Sequence, residues 1–192
     1  MANFTKNAIR ASFMKLLDER PLSKITVKDI TDDCGINRNS FYYHYQDIPS
    51  LIQEIFTQEI ERIIQDHPSI DSLEDCIAIA SAFAVENKRA ILHVYNSVNR
   101  DIFEQYLWRA CEQTVVTYFR TAFPEARLSE EDRSVLLHFH TCNTFGLVCG
   151  WLNSGMRLDM KAFSARLCEI TRGMLAEMIR RCENKNRQTP RF

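Results

Sequence analysis

Apolar side chains recur every three or four residues along almost the whole chain, and no segment shows a sustained alternation of apolar and polar residues. Such recurrence is the spacing of an amphipathic α-helix, whereas alternation would indicate a half-buried strand. Five glycines and five prolines in 192 residues are fewer than the turns of an all-β or α/β protein require. The sequence therefore predicts an all-α fold with about nine helices. The first of them has an apolar stripe formed by Phe4, Ala8, Ile9, Phe13, Leu16 and Leu17 and ends at Pro21.

The charge balance and the missing motifs exclude several classes of function. Lysine and arginine number 24 against 25 aspartates and glutamates, a formal net charge of −1, so a uniformly basic coat is excluded but a local basic face is not. The glycines lie too far apart to assemble a phosphate-binding loop. A nucleophile elbow, a zinc-binding HExxH motif and a dinucleotide fingerprint are also missing. We expect neither an enzyme nor a bound cofactor.

Targeting signals and cysteine spacing indicate where the protein works. The apolar residues of positions 1–20 are interrupted by Lys6, Arg10 and Lys15, which is unlike a signal peptide. The best apolar run, residues 76–85, is about half of the ~20 residues that span a bilayer. The seven cysteines form no CxxC pair, which argues against a disulfide framework and a zinc finger. The sequence predicts a cytoplasmic protein with no membrane partner and no metal.

Two short helices are predicted between residues 26 and 45. Thr26 and Asp29 form a capping box, with aspartate in place of glutamate, and open a helix that stops at Gly35. Asn37 is a suitable N-cap for a third helix that runs through Tyr45. Two short helices joined by a glycine-bearing turn are the layout of a helix-turn-helix, whose second helix enters the major groove of DNA.

The remaining boundaries divide the chain into further helices. Asp47 and Pro49 start a fourth helix, whose apolar residues recur at helical spacing until Pro68. Its length suits a rod that links two parts of the molecule. Later helices are predicted from Ser72 towards Glu86, near residues 90–96, over residues 101–122, from Ser129 to about Gly155, and from Asp159 through Phe163, Leu167, Ile170 and Met174, with a polar and basic tail after residue 183.

A helical wheel of the third helix separates an apolar face from a polar one. Phe41 and Tyr45 fall on one side, while Asn39 and Tyr43 point the opposite way and Arg38 lies near the helix start. Amide, hydroxyl and guanidinium groups are those that hydrogen-bond base edges and phosphates. The pattern also fits a bland alternative, because short helices around a glycine are common and exposed polar side chains often interact only with solvent.

The segment resembles the N-terminal DNA-binding domain of TetR (tetracycline repressor) family regulators. The match covers roughly residues 5–51 and is densest at residues 25–30 (ITVKDI), 34–36 (CGI) and 41–45 (FYYHY). The Tyr-x-His-aromatic ending is its most specific part. The resemblance implies a helix-turn-helix DNA-binding domain at residues 1–47 and an effector-binding and dimerisation domain at residues 48–183. The polar and basic composition of residues 184–192 predicts a flexible tail.

The resemblance assigns DNA contacts residue by residue. Arg38, Asn39, Ser40 and Tyr43 lie where the family reads bases. His44 has two interpretations, as a phosphate contact or as a neutral histidine that holds the recognition helix against its neighbours. The other implied contacts, mostly to the phosphate backbone, are Thr5, Lys6, Thr26, Lys28 and Tyr42.

One position departs from the family pattern. Many members carry a lysine near the start of the fourth helix, aimed at phosphate, and this chain has Ile48 there. Residues 1–45 hold seven lysines and arginines and five acidic residues, a surplus of only two positive charges. Because each phosphate contact adds about 0.9 to the slope of log affinity against log salt, we expect weak non-specific binding and a shallow slope. A protein that binds DNA poorly and acts through a partner is the competing possibility.

The resemblance also implies that the last two long helices form a four-helix bundle with those of a second copy. The helix that follows Ser129 has a nearly featureless apolar surface, in which Gly146 and Gly150 permit close helix approach. The alternative is that these residues face the monomer's own core. The predicted dimer surface comprises Cys142, Phe145, Gly146, Cys149, Gly150, Phe163, Leu167, Ile170 and Met174.

Polar groups embedded in apolar helices are candidates for a small-molecule site, because such a pocket needs aromatic walls and a few polar groups. Each of them is alternatively a satisfied core or surface residue. His138 and Cys142 lie four apart on a helix, but a third metal ligand is missing, so no metal site is predicted. The candidate effector contacts are His93, Asn96, Tyr106, Trp108, His138 and Asn143, with Tyr95, Asn99 and His140 as further candidates.

Together these features predict a ligand-responsive transcriptional regulator, a repressor that binds a palindromic operator as a homodimer. A small-molecule effector would shift the long fourth helix and change the separation of the two helix-turn-helix domains, to the extent that it prefers one state. The alternative is a ligand-binding coregulator of the same fold that docks onto a protein partner and has little DNA binding of its own.

Overall fold

The computed structural model describes residues 2–66, 81–82, 84–97 and 100–188, and these residues form helices and turns without a strand. This confirms the predicted all-α fold. A short 3-10 turn, Leu22–Lys24, precedes the second helix. The α-helices with both ends among the described residues are α1 (Ala2–Glu19), α2 (Val27–Cys34), α3 (Arg38–His44), α4 (Ile48–Asp66), α5 (Lys88–Tyr95), α6 (Arg100–Ala122), α7 (Glu130–Asn153), α8 (Met160–Ile170) and α9 (Met174–Gln188).

These helices belong to two compact units. The first unit comprises Met1–Ile63 and Ala84–Leu107, and the second comprises Ile64–Phe83 and Trp108–Phe192. Helices α1, α2, α3 and α5 therefore lie in the first unit and α7, α8 and α9 in the second, while α4 and α6 contribute residues to both. All the residues predicted to contact DNA lie in the first unit.

Helix α1 buries one face and ends shortly before a proline. Ile9, Phe13 and Leu17 are buried, as their spacing predicts. The helix stops at Glu19, because the residue before Pro21 is driven out of the helical conformation. The predicted stripe is wrong at its first member, since Phe4 is 80% exposed. Phe4 lies in the first turn of α1, ahead of the residues with which the helix covers the core.

Helix α2 starts and ends as predicted. The Thr26 side chain accepts a hydrogen bond from the Asp29 amide (3.3 Å), and the Asp29 carboxylate accepts one from the Thr26 amide (2.8 Å), which completes the capping box. At the other end Gly35 has a φ of 69°, in the left-handed region that favours glycine. The amide of Ile36 donates to the Thr31 carbonyl (3.0 Å) and closes the turn that leads into α3.

Side-chain caps also start the next two helices. Asn37 accepts a hydrogen bond from the Ser40 amide (2.8 Å) at the start of α3. Asp47 accepts one from the Ser50 amide (2.8 Å) at the start of α4. Both starts agree with the caps predicted from the sequence.

The core of the first unit extends from α1–α3 to α4, α5 and α6. Ile30 of α2 and Phe41 of α3 are fully buried. Tyr95 of α5 and Phe56 of α4 both pack against the ring of Phe103 on α6, with ring centroids 5.8 Å and 5.0 Å apart. Each fully buried side chain of this core, such as Ile30, Phe41 or Tyr95, contributes about 1.5–3 kcal/mol relative to an exposed one. The helix-turn-helix therefore rests on a core that it shares with α4, α5 and the start of α6.

The second unit has a core of its own. Helix α7 starts after the predicted cap Ser129, which accepts a hydrogen bond from the Asp132 amide (3.0 Å). The Glu183 carboxylate of α9 accepts a hydrogen bond from the Arg127 amide (2.9 Å), which ties α9 to the turn before α7. The buried residues that α6, α7 and α9 bring together are Val115, Phe119, Leu136 and Ile179.

The last predicted helix is in fact two helices. The spacing from Phe163 to Met174 predicts one helix, but α8 ends at Ile170 and α9 begins at Met174. Gly173 between them has a φ of 79°, a left-handed conformation through which an α-helix does not continue. Periodicity failed here because one left-handed residue ends a helix without disturbing the apolar spacing. Helix α9 then runs to Gln188, into the segment that the sequence assigns to a tail.

Part of one predicted helix lies outside the described residues. Of the helix expected from Ser72 towards Glu86, only residues 81–82 and 84–86 are described, and these are helical. None of the helices in the described ranges combines the length and the apolar character that crossing a membrane requires. Within the same ranges no three histidine, cysteine or acidic side chains come together as metal ligands would.

Candidate nucleic-acid interface

Helix α3 has a buried face and an exposed face, as the wheel predicts. Phe41 is 0% exposed and Tyr45, which caps the helix, is buried as well. On the other side Tyr43 is 82% exposed, and Arg38 and Asn39 are exposed beside it. The polar side chains that the resemblance assigns to base reading thus lie at the surface of a short helix that is fixed from behind.

Ring contacts orient the aromatic side chains of α3. Tyr42 meets Phe41 edge to face with ring centroids 5.6 Å apart. Tyr43 and His44 form a second such pair at 5.0 Å, and His44 is half-buried. Edge-to-face pairs are favourable by about 0.5–1.5 kcal/mol beyond the area they bury, so they restrict the rotation of both rings. The ring partners of His44, Tyr43 and Tyr45, belong to α3 and its C-cap, so these contacts do not decide between the two interpretations of His44.

Two of the predicted contact hydroxyls already take part in helix caps. Ser40 Oγ donates to the Asn37 side chain (3.1 Å), and Thr26 Oγ1 donates to the Asp29 carboxylate (2.5 Å). Each hydroxyl would have to turn away from its cap in order to donate to a phosphate. The hydrogen bonds from Thr26 hold the pKa of Asp29 below its ordinary value, although partial desolvation opposes its ionisation.

At the start of α1 the two predicted phosphate contacts, Thr5 and Lys6, are half-buried. The Lys6 ammonium donates to Oε2 of Glu54 on α4 (2.7 Å) and lies 5.5 Å from the centre of the Tyr45 ring. Sequence reasoning missed Glu54. The two residues are 48 positions apart, so no local pattern could have indicated their ion pair.

Glu54 joins α1, α4 and the end of α3 through both of its carboxylate oxygens. Oε2 is held by Lys6, while Oε1 accepts hydrogen bonds from the Tyr45 hydroxyl (3.0 Å) and the Gln58 side-chain amide (3.2 Å). Burial opposes the ionisation of Glu54, but the hydrogen bonds from Lys6 and Tyr45 outweigh it and hold its pKa below its ordinary value. Burial, reinforced by the neighbouring Glu54, raises the pKa of Tyr45, so the phenol keeps the proton that it donates.

We call helices α1–α3 the reading head. Most of the basic side chains in residues 1–45, which contain the reading head, are already paired with acids. Of the seven lysines and arginines in residues 1–45, only Lys24, Lys28 and Arg38 have no ion pair within the described part of the chain. The four ion pairs join Lys6 to Glu54 (2.7 Å), Arg10 to Glu59 (3.6 Å), Lys15 to Asp33 (2.6 Å) and Arg20 to Asp29 (3.3 Å).

The candidate effector contacts of the first unit are engaged with their own unit. His93 of α5 donates through Nδ1 to the Leu17 carbonyl near the end of α1 (2.7 Å). Asn96 is exposed, and its side-chain amide donates to the Leu92 carbonyl (2.9 Å). Tyr106 is buried. The His93 hydrogen bond attaches α5 to the reading head, a role that its position in the sequence does not indicate.

The candidates of the second unit are partly gathered around one tryptophan. The Trp108 ring lies 5.7 Å from the His138 ring and 5.4 Å from the Phe145 ring, measured between centroids. Asn143 is exposed. Asn99, a further candidate, lies outside the described residues. Within the second unit the structure thus brings Trp108 and His138 together.

His140 has an unsatisfied buried atom in the second unit. Its Nε2 is buried and has no hydrogen-bond partner among the described residues, and the Phe119 ring lies 5.7 Å from the imidazole. Burial lowers the pKa of His140, so the imidazole is neutral at neutral pH. A neutral imidazole can form one further hydrogen bond at this nitrogen, and a small molecule would reach it only by displacing the side chains that bury it.

The predicted dimer surface is divided between exposed and half-buried residues. Phe145 packs on Trp108 within the second unit, which is the alternative that the sequence left open for it. The exposed members of the set are Cys142, Gly146, Gly150, Ile170 and Met174, and the half-buried members are Phe145, Cys149, Phe163 and Leu167.

Two further residues of α7 extend this exposed surface. Val135 is 62% exposed and Phe139 is 43% exposed. They precede Cys142, Gly146 and Gly150 at steps of three or four residues, so all five lie along one side of the helix. We call these five residues the α7 stripe. The same spacing could have indicated Val135 and Phe139, but α7 is apolar on its buried side as well, which obscures the pattern.

Comparison with known proteins agrees with this architecture. A TetR-type family profile, described as a transcriptional regulator C-terminal region, matches residues 71–173, more than half of the chain. A protein of Bacillus subtilis (strain 168), named as the uncharacterized HTH-type transcriptional regulator YxbF, is 21% identical over 174 residues. That match covers 84% of this chain and 43% of the relative, so the chain spans less than half of the relative's length.

Two solved structures share the fold. DhaS, described as the dihydroxyacetone kinase operon activator, superposes with a TM-score of 0.70 at 16% identity, over 91% of this chain and 96% of DhaS. NalD, described as the secondary repressor of the MexAB-OprM multidrug efflux pump in Pseudomonas aeruginosa, superposes with a TM-score of 0.53 at 20% identity. The NalD match covers 88% of this chain and 95% of NalD. At identities this low, the two matches show a shared fold and do not show a shared function.

Proposed function

We propose a specific role for this chain, which belongs to the TetR family of transcriptional regulators and is a DNA-binding regulator. In this role it is a ligand-responsive repressor that acts in the cytoplasm, binds a palindromic operator as a homodimer and leaves the operator when a small molecule binds. The exposed polar face of α3, with Tyr43 at its centre, is the observation that carries the proposal.

The side chains of this face suit base edges in the major groove. A guanidinium such as that of Arg38 can pair with N7 and O6 of guanine, and an amide such as that of Asn39 with N6 and N7 of adenine. Each well-placed pair of this kind discriminates against the wrong base by about 1–3 kcal/mol. Lys24 and Lys28 are exposed and have no ion pair in the described residues, so both are available for phosphates.

The buried face of α3 supports this role because it fixes the orientation of the exposed face. Phe41 and Tyr45 anchor the helix from behind, and Asn37 caps its start. The side chains that would contact bases are therefore positioned before DNA arrives, so less conformational entropy is lost on binding.

The α7 stripe supports a homodimer. An exposed apolar strip on one side of a helix is unfavourable in water and gains free energy when a complementary surface covers it. Beyond its own helical turn, a Cβ added at Gly146 or Gly150 would meet no atom of the described residues within 4 Å, which leaves the backbone at both positions accessible to a second helix. A two-fold dimer would present two copies of α3 to half-sites about 34–36 Å apart, or multiples of that distance.

The second unit supports binding of a small aromatic or apolar effector with a hydrogen-bonding group. Trp108, His138 and Phe145 provide aromatic surface, and the neutral His140 provides an unused nitrogen. Such an effector changes operator affinity only to the extent that it prefers one conformation of the protein. The coupling is reciprocal, so the operator must weaken effector binding by the same factor.

The direct test is selection of binding sites from a random pool of duplexes by the full chain. We expect an enriched near-palindrome that binds two copies of the protein. Absence of enrichment, from protein shown to be folded and dimeric, would contradict the proposal. A reporter gene placed behind the selected site then distinguishes repression from activation, the activity named for DhaS, whose fold this chain shares.

One observation favours a second role as a coregulator that acts through a protein partner. Four of the seven basic side chains in residues 1–45 are neutralised by acids, and Ile48 stands where many family members carry a phosphate-binding lysine. A folded dimer that enriches no DNA sequence would support this role, and capture of its partner would follow.

A further inference from the structure

We propose that Glu54 keeps Lys6 from contacting operator phosphates and thereby sets how strongly the reading head binds DNA of any sequence. The inference rests on the proposed function, because it assumes that α3 lies in the major groove. It goes beyond that function because it assigns a role to Glu54 of α4, which controls whether Lys6 of α1 contacts phosphate.

The Glu54 carboxylate accepts the hydrogen bond that the Lys6 ammonium would otherwise donate to a phosphate oxygen. Its Oε2 lies 2.7 Å from the Lys6 ammonium, a short charge-assisted hydrogen bond. Its Oε1 is fixed by the Tyr45 hydroxyl (3.0 Å) and by Gln58 (3.2 Å), so the carboxylate cannot readily turn away from the lysine. A phosphate that approached Lys6 would have to displace this acid or accept its negative charge nearby.

The physical consequence is a smaller release of counterions on DNA binding. A lysine already neutralised by a carboxylate displaces few cations from DNA, whereas each phosphate contact by a free lysine adds about 0.9 to the salt slope. Base contacts from α3 do not involve Lys6. The ion pair therefore lowers the affinity for random DNA and the affinity for the operator together. Contacts between α3 and the base edges then distinguish the operator from random DNA.

Lys6 differs from Lys15, another basic residue of α1 that is paired with an acid, in where it lies on the helix. The family resemblance places the start of α1 beside the phosphate backbone, and Lys6 lies in the second turn of that helix. Lys15 follows nine residues later, which is half a turn around the helix at about 100° per residue, so it lies on the opposite side of α1. Its ion pair with Asp33 (2.6 Å) provides a matched comparison within the same reading head.

The experiment measures the affinity of the full chain for its selected duplex and for a scrambled duplex between about 50 and 200 mM salt. Glu54→Gln keeps an oxygen for the Tyr45 hydroxyl and removes the charge that holds Lys6. We expect its salt slope to steepen by about 0.9 per reading head, or about 1.8 per dimer, on both duplexes. Binding at the lowest salt should tighten about two- to fivefold per head.

Three controls separate the released lysine from a general change of charge. Asp33→Asn frees Lys15 on the other side of α1 and should leave the slope unchanged. Adding Lys6→Gln to Glu54→Gln should return the slope to that of the wild type. Lys6→Gln alone should change the slope by much less than 0.9 per head, a result that tests the inference even if Glu54→Gln does not fold.

The possible results distinguish this inference from the function on which it rests. An unchanged or shallower slope for Glu54→Gln, or an equal increase for Asp33→Asn, would overturn the role of Glu54 and leave operator binding intact. A full loss of about 0.9 per head in Lys6→Gln would also overturn it, because Lys6 would then already contact phosphate. If the folded wild type bound neither duplex, the proposed function would fail and this inference with it.

Discussion

Helices α3 and α7 each present an exposed face, and the two faces differ in chemistry. The α3 face carries guanidinium, amide and phenol groups, whereas the α7 stripe begins with a valine and a phenylalanine and continues with two glycines. Polar groups remain hydrated until another polar surface replaces the water, which suits a contact that forms and breaks. An apolar strip gains free energy only while it is covered. The difference supports the two contacts that we propose, an exchangeable one with DNA at α3 and a lasting one between copies of the chain at α7.

The largest expected effect is that of a charge placed in the α7 stripe, which should dissociate the proposed dimer. Phe139→Glu should dissociate the proposed dimer, because each dimer would bury two unpaired carboxylates at a cost of several kcal/mol. We expect the dimer dissociation constant to rise by about 100-fold or more, measured by sedimentation velocity. Leu158→Glu is the matched control, since Leu158 is 47% exposed but lies outside α7, and it should stay dimeric. A dimeric Phe139→Glu protein would exclude α7 as the interface.

Removing side chains from the α3 face tests whether that face contacts DNA and takes no part in the dimer. Asn39→Ala and Tyr43→Ala should each weaken binding of the selected duplex by about 1–3 kcal/mol per head and leave the dimer intact. Fluorescence anisotropy titration measures the loss. Asn96→Ala removes an exposed asparagine of the first unit that hydrogen-bonds its own helix, and it should bind like the wild type. Wild-type affinity of both α3 variants would show that this face does not read bases.

Two glycines, Gly35 before α3 and Gly146 within α7, allow a comparison of the backbone in the two regions. Gly35 has a left-handed φ of 69° at the turn before α3, so Gly35→Ala should lower the free energy of unfolding by about 1–2 kcal/mol. Gly146 lies within α7, where alanine is favoured over glycine by about 0.8–1 kcal/mol, so Gly146→Ala should not destabilise the folded chain when it is compared in the Phe139→Glu background, which removes the proposed dimer contact. Urea unfolding measures both. Equal effects of the two substitutions would contradict the conformations assigned to these positions.

Acid unfolding provides the smallest and most local test. The pKa of Glu54 is lowered in the folded protein, so its contribution to stability is present above the ordinary glutamate pKa of about 4.3 and is lost as the pH falls through the folded value. Between pH 6 and pH 3 the wild type should lose up to about 1 kcal/mol more than Glu54→Gln. Glu61→Gln, an exposed position on the same helix, should follow the wild type. An identical pH profile for Glu54→Gln would contradict the ion pair.

The features of the reading head that sequence reasoning obtained are local ones. Thr26, Gly35 and Asn37 form caps and turns with residues at most five positions away, so their side chains and backbone conformations could be predicted directly. The two faces of α3 followed from the helical repeat, because only one of them is apolar. The resemblance to the TetR family came from the same short segment, and the profile that shows the family matches residues 71–173.

The features that sequence reasoning missed depend on contacts between distant residues. Lys6 was predicted to be a phosphate contact, and its ion pair with Glu54 spans 48 positions. In α7 the periodicity could not separate inside from outside, because Leu136 is buried while Val135 beside it is exposed. The end of α8 was missed because the left-handed φ of Gly173 leaves no trace in apolar spacing.

The central claim is that the exposed face of α3 reads bases, and parallel selection by wild-type protein and by Asn39→Ala from one random duplex pool tests it most directly. We predict that both proteins enrich a near-palindrome and that the variant loses its base preference at one position, repeated symmetrically in the two half-sites. Identical enriched sequences for the two proteins, both folded and dimeric, would contradict the claim.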